Sequence, residues 1–194
     1  MTRMIVLGAA GLLAACSAEE SAADGAPAEA GSQEQADQIA DAPDEAADRA
    51  FRYTSLAHCE VVREEREEMP FVETLCPGPA GWTLRVTDSD ARQNVIVVAP
   101  GGRETSLELS RNGGGGFSSL GEAAEWRGPA GPDFAPDSLI VRYRVAEKAP
   151  PEPETAYLLA IDLTPRPCVV ARVAPGPAQN EVARARADDP GTCL

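Results

Sequence analysis

The chain has 194 residues, 31 Asp and Glu against 17 Lys and Arg, one His, five Cys and a net charge of −14. So large an acidic excess, with no basic stripe to neutralise phosphates, argues against nucleic acid as a partner. The length allows one ordinary domain with appendages, and the single histidine confines imidazole chemistry to one position.

Arg3 is followed by an uncharged run of twelve residues, Met4 to Ala15, and then by the polar Ser17-Ala18-Glu19-Glu20. A positive start, a short apolar run and small residues before a cut are the layout of an export signal. Twelve residues fall short of the about 20 that span a bilayer. The run ends in Leu13-Ala14-Ala15-Cys16, which resembles the lipobox of bacterial lipoprotein precursors. The resemblance implies a signal peptide over residues 1–15 and acylation of Cys16, palmitate included. Several acyl chains would hold the protein to the lipid bilayer more durably than one. It further implies the cell envelope, with Ser17 after the cysteine favouring the outer membrane, facing the periplasm. The competing reading is an ordinary signal peptide in which Cys16 is incidental.

Residues 16–50 hold ten acids, one base (Arg49) and a single large apolar side chain, Ile39. Such a segment cannot bury enough surface to offset its ordering entropy, so an acidic disordered tether is expected, reaching about 30 to 35 Å. Partial helix over residues 33–50 is the alternative, because Ala, Glu and Gln form helices readily. Residues 51–194 keep 21 acids and 15 bases, so the acidity is mainly the tether's.

Residues 51–194 are expected to fold as a single disulfide-stapled, β-rich domain. It contains Cys59, Cys76, Cys168 and Cys193, and an even number of cysteines in an oxidising compartment points to bridges. Three pairings are possible; Cys59–Cys76 and Cys168–Cys193 keep each bridge within a local unit. Each closed loop is worth on the order of 3 kcal/mol. Zinc would compete for the thiolates, but no C-x-x-C spacing occurs.

Glu60, Glu64, Glu65, Glu67 and Glu68 read as a solvated face. Residues 82–87 alternate apolar and polar as a half-buried strand does. Residues 92–99 are denser, with Val95 to Val98 consecutive, as in a strand buried on both faces. Pro100-Gly101-Gly102 turns into the alternating residues 104–109, which makes 92–109 a hairpin. Gly113 to Gly116 is a loop and 124–127 a short strand. Residues 139–145 place Leu139, Val141, Tyr143 and Val145 opposite Ile140, Arg142 and Arg144. In residues 155–163, Tyr157, Leu159, Ile161 and Leu163 share a face, while Leu158 and Ala160 make the other apolar too, as in a central strand. A last strand covers 168–173.

Pro177 then fits the first turn of a helix whose early Glu181 and late Arg184 and Arg186 complement its dipole, with Pro190-Gly191 ending it. Its apolar stripe is Ala178, Val182 and Ala185. The fold class is mainly β (α+β): an antiparallel sheet or open barrel with one C-terminal helix and two disulfides. No βαβ alternation demands a parallel sheet.

The chemistry is sparse. Any catalytic triad would have to use His58. Gly116-Phe117-Ser118-Ser119-Leu120-Gly121 misses G-x-S-x-G because Leu120 holds the last position, so it reads as a loop. Gly113 to Gly116 lacks the Lys-Ser or Lys-Thr of a phosphate loop. Asp88-Ser89-Asp90 begins like a calcium loop, yet Gln93 stands where Gly is needed and Ala99 where Glu is needed. Trp82 and Trp126 read as core residues, with an exposed stacking platform as the alternative. No catalytic residue, metal ligand or cofactor is assigned.

Tyr53-Thr54-Ser55-Leu56, Cys59, Cys76-Pro77-Gly78, Gly81-Trp82, Arg92, Ser119-Leu120-Gly121, Glu125-Trp126-Arg127 and Cys168-Val169 resemble an uncharacterised family of exported proteobacterial proteins, across most of residues 53–173. The resemblance implies no activity. The expected function is a membrane-anchored envelope lipoprotein with a non-enzymatic binding domain. Its partners would be the lipid bilayer, through Cys16, and an envelope protein or cell-wall component. The alternative is a periplasmic inhibitor of a hydrolase such as lysozyme, since an acidic domain suits a basic enzyme.

Overall fold

The computed structural model describes residues 49–67, 69–112, 116–149 and 151–194. Cys16, the signal peptide 1–15 and residues 16–48 of the expected tether lie outside them. The strands in chain order are β1 (Arg49–Ser55), β2 (Glu60–Glu65), β3 (Phe71–Pro77), β4 (Thr83–Ser89), β5 (Arg92–Val98), β6 (Glu104–Ser106), β7 (Ser118–Pro129), β8 (Ser138–Val145), β9 (Thr155–Asp162) and β10 (Cys168–Val173). Helix α1 spans Leu109–Asn112 and α2 spans Gln179–Asp188. No helix among the described residues is long and apolar enough to cross a membrane.

The strands make one open sheet in the order β10-β9-β8-β7-β5-β4-β3-β2, with β1 on β7 and β6 on β5. The ladders are antiparallel except that β5 meets β7 in parallel, Arg92 opposite Ser118, so the expected antiparallel sheet is in fact mixed. The cause is β7, whose 12 residues serve two neighbours on one edge. Ser118 lies along β5, and residues 123–129 lie along β1. Between these stretches the β7–β8 register shifts from Leu120 to Ala124, a bulge that bends the strand.

The inward residues of both halves of the sheet meet in one core: Leu84, Val95 and Val97 from one, Trp126, Leu139, Val141, Tyr143 and Ile161 from the other. Trp126 is fully buried, and its indole N–H donates to Thr54 Oγ1 at 2.9 Å. A Cβ on Gly78 would stand 2.5 Å from the indole ring, so only glycine lets the chain leaving β3 pass over it. Trp82 is half-buried against the same core. The face assignments in β8 and β9 agree with the alternation, and Leu158 and Ala160 are buried beneath α2 on the opposite side. Both disulfides are Cys59–Cys76 and Cys168–Cys193, with Cα atoms 4.7 and 5.7 Å apart.

Elsewhere the structure departs from the pattern. β1 opens at Arg49, two residues before the expected domain start at residue 51, because Arg49 is ion-paired into the domain. β2 leaves no alternation to read, since all six of its residues are exposed; its ladder to β3 and the Cys59–Cys76 bridge hold it. Residues 118–121, expected as loop, begin β7, where Gly121 and the bulge interrupt the alternation. The strand expected over 104–109 stops at Ser106: Glu108 takes φ of 49°, and Leu109 starts α1. β5 is covered fully on one face only, with Ile96 and Val98 partly exposed. The segment that begins like a calcium loop is a hairpin corner, Asp90 and Ala91 having φ of 52° and 55° in the two-residue turn between β4 and β5.

Candidate functional site

Helix α2 presents two adjacent rows at four-residue spacing, Gln179-Ala183-Ala187 and Asn180-Arg184-Asp188. Ala183 and Ala187 are buried against Ile140, Leu158 and Ala160, and their small side chains let the helix lie close to the sheet. The expected stripe is corrected: Ala178, Val182 and Ala185 are all exposed. At about 100° per residue, Val182 and Ala185 point well away from the direction of Ala183. Pro177 sits in the turn before the helix, and Ala178 is its N-cap.

The second row meets charges on the outward faces of β7 and β1. Glu125 and Arg127 flank the core residue Trp126 and so face the other way. Arg184 Nε donates to Glu125 Oε1 at 2.9 Å and its Nη2 to Oε2 at 3.1 Å. Arg127 Nη1 donates to Glu125 Oε1 at 2.8 Å, and the Tyr53 hydroxyl to Oε2 at 2.7 Å. Arg127 Nε also donates to Asp188 Oδ1 at 2.8 Å. Arg49 completes the chain, donating to Asp188 Oδ1 at 3.1 Å and Asp137 Oδ2 at 2.7 Å. The order Asp137, Arg49, Asp188, Arg127, Glu125, Arg184 alternates in sign, three acids with three bases, and is neutral as a set.

The side chains of Glu125 and Arg127 are only 10% and 8% exposed, so each relies on its partners to stay charged. Burial alone would push both the Glu125 and Asp188 carboxyls up. Hydrogen bonds from Arg184, Tyr53 and Arg127 to Glu125, and from Arg127 and Arg49 to Asp188, outweigh it and hold both below the ordinary carboxylate range. The bond to Glu125 in turn raises the Tyr53 phenol. Hydrogen bonding to the carboxylates raises the guanidiniums of Arg49, Arg127 and Arg184.

Beside this ladder the bulge of β7 opens a groove of about 370 Å³, lined by Tyr53, Gly121, Glu122, Arg142, Arg144 and Asn180 among others. Ile140 and Leu158 give it an apolar floor. A Cβ on Gly121 would lie 2.8 Å from Cβ of Arg142, so glycine in the bulge lets that arginine cross it closely. Arg142 Nη1 reaches Gln179 Oε1 at 3.4 Å, and Arg144 Nη1 donates to the Leu120 carbonyl at 3.1 Å. Neither guanidinium has a carboxylate within ion-pair distance among the described residues. The ladder is balanced, and its Glu125 and Arg184 also line the groove, whose other charges, Glu122, Arg142 and Arg144, leave one positive charge in excess.

The other residues singled out in the sequence lie apart from this groove. His58 is exposed in the segment between β1 and β2. Glu64 and Glu65 pair with Arg66 and Arg63 on the β2–β3 hairpin. Among the described residues no group of three or more His, Cys, Asp or Glu is placed to hold a metal. The ladder was not foreseen. Its partial signal is Glu125-Trp126-Arg127, two charges about a core tryptophan, and the alternation over 139–145 already sets Arg142 and Arg144 on one face. Nothing in the sequence places residues 49, 125 and 184 side by side. No family model matches the chain, and no curated protein or solved structure matches it.

Proposed function

We propose that this protein is a lipid-anchored binding module of the cell envelope, held at the outer membrane through Cys16, that recognises its partner in the groove between α2 and the β7 bulge without transforming it. The observation that carries this reading is the pair Arg142 and Arg144, without carboxylate partners among the described residues, in a domain where acids outnumber bases, 21 to 15. The anchor rests on Leu13-Ala14-Ala15-Cys16. The two disulfides support an oxidising compartment, where such bridges persist. Binding is favoured over catalysis by the state of Glu125: a carboxylate saturated by three donors and titrating low is poorly matched to proton transfer near neutrality.

The alternative, an inhibitor of a basic hydrolase, finds support in the β2–β3 hairpin, where Glu60, Glu64 and Glu65 lie on a strand exposed throughout. Photocrosslinkers placed at Asn180 and at Glu65 in native cells separate the two. Adducts from Asn180 that disappear in R142A/R144A are expected; adducts from Glu65 alone would move recognition to the acidic hairpin. In the same cells Cys16→Ser is expected to shift the protein from the membrane to the soluble fraction. Unchanged membrane association would remove the anchor from the proposal.

A further inference from the structure

We infer that the groove takes an oxyanion, a carboxylate or phosphate carried on a body the size of one sugar or dipeptide, with Arg142 and Arg144 as the receiving pair; this rests on the groove being the recognition surface. Two residues apart on one face of β8, their Cα atoms are separated by about 6.6 Å. Both side chains line the groove, and an anion bound between two guanidiniums relieves their mutual repulsion. Among the described residues no carboxylate pairs with either, although Arg49, Arg127 and Arg184 each have one. Glu122, at the same rim, is exposed and within ion-pair distance of neither.

The remaining features fit a bound small group better than a solvated pair. The cavity of about 370 Å³ is at the lower end of the range for small-ligand sites. Ile140 and Leu158 offer an apolar floor, Tyr53 a wall, and Asn180 an amide for a hydroxyl or carbonyl. Guanidinium is suited to oxyanions because its planar N–H groups can donate in parallel to two oxygens. Gly121 adds a positional requirement, since a methyl group there displaces the stem of Arg142. A β-bulge that re-aims side chains is a recurrent device beside binding sites.

Nitrogen-15 chemical-shift titration of the mature chain tests this with three probes that share a body and differ in charge: D-glucuronate, glucose 6-phosphate and glucose. Saturable shifts at residues 121–125 and at the Arg142 and Arg144 Nε–H groups are expected with one or both anionic sugars and not with glucose. Which anion binds more tightly assigns carboxylate or phosphate. R142Q/R144Q is expected to weaken binding about tenfold or more while melting like the wild type, and G121A to weaken it through displacement of Arg142. R103Q, distant from the groove, leaves it unchanged. Added salt should weaken binding in the wild type. No saturable shift with either anion, equal shifts with glucose, or undiminished binding in R142Q/R144Q would each overturn the inference. Crosslinking from Asn180 would still succeed if the groove binds a neutral partner, so the two failures are distinguishable.

Discussion

The same three strands, β7, β8 and β9, present two faces built on different physics. Inward they carry Trp126, Leu139, Val141, Tyr143, Leu159 and Ile161, all fully buried, and meet the other half of the sheet through shape and apolar area. Outward they carry Glu125, Arg127, Ile140, Arg142, Leu158 and Ala160, and meet a ten-residue helix through two alanines and a run of ion pairs. The inner face is set by strand register and close packing around Trp126, whereas the outer face positions the helix through the ion pairs of Glu125, Arg127, Arg184 and Asp188. The inner face therefore supplies most of the stability, and the outer one determines where α2 sits and where the groove opens.

Truncating the inner face should do the most damage. Trp126→Ala is expected to cost about 4 kcal/mol, since it removes the largest fully buried side chain and leaves the Thr54 hydroxyl without its donor. For a domain of this size that lowers the melting temperature by roughly 10 to 15 °C in calorimetry. A loss below about 1.5 kcal/mol would show the core collapsing around the gap, and the contrast between faces would weaken.

Breaking the outer face should come next. Glu125→Ala leaves Arg184 without its carboxylate and Arg127 with Asp188 alone, at a cost of about 3 kcal/mol by denaturant titration. The effect carries a pH signature. Glu125 and Asp188 have folded values below their ordinary 4.5 and 3.8, so the stability they add is complete above those values and is lost as pH falls through the depressed ones. The wild type is therefore expected to lose more melting temperature than Glu125→Ala between pH 5 and pH 3. Parallel curves would mean that the ladder holds geometry without contributing to acid sensitivity.

The smallest effect sharpens the edge of the comparison. Chains of residues 17–194 and 49–194 should melt within about 2 °C of each other, because the acidic composition of residues 17–48 favours few native contacts. A chain of residues 51–194 loses Arg49 and with it a partner of Asp137 and Asp188, for a drop of about 1 kcal/mol, roughly 3 °C. If 51–194 melted like 49–194, the ladder would end functionally at Arg127.

Wherever burial on a strand follows its period of two, the sequence is a sufficient guide. Leu139 to Val145 and Tyr157 to Leu163 divide into their two faces as the alternation implies, and the doubly apolar β9 is central with α2 above it. Local cysteine spacing likewise favours the two bridges that form, because short loops close at the smallest entropic cost. The pattern is silent where burial does not alternate. β2 is exposed throughout, and β7 is broken by Gly121 and a register shift that no propensity encodes.

Alternation and cysteine spacing carry the class, mainly β, stapled twice, with one C-terminal helix, and which residues of β8 face which way. Tertiary structure alone decided which face of α2 is buried, since alanines at 178, 183, 185 and 187 are nearly equivalent until a sheet selects the pair that lets the helix approach. It alone decided the ladder, whose members come from residues 49, 125, 127, 137, 184 and 188. Charge pairing over such separations leaves no periodic trace along the chain; it depends on distance in space, and only the folded sheet, with its bulge and its helix, brings those distances down to hydrogen-bond length.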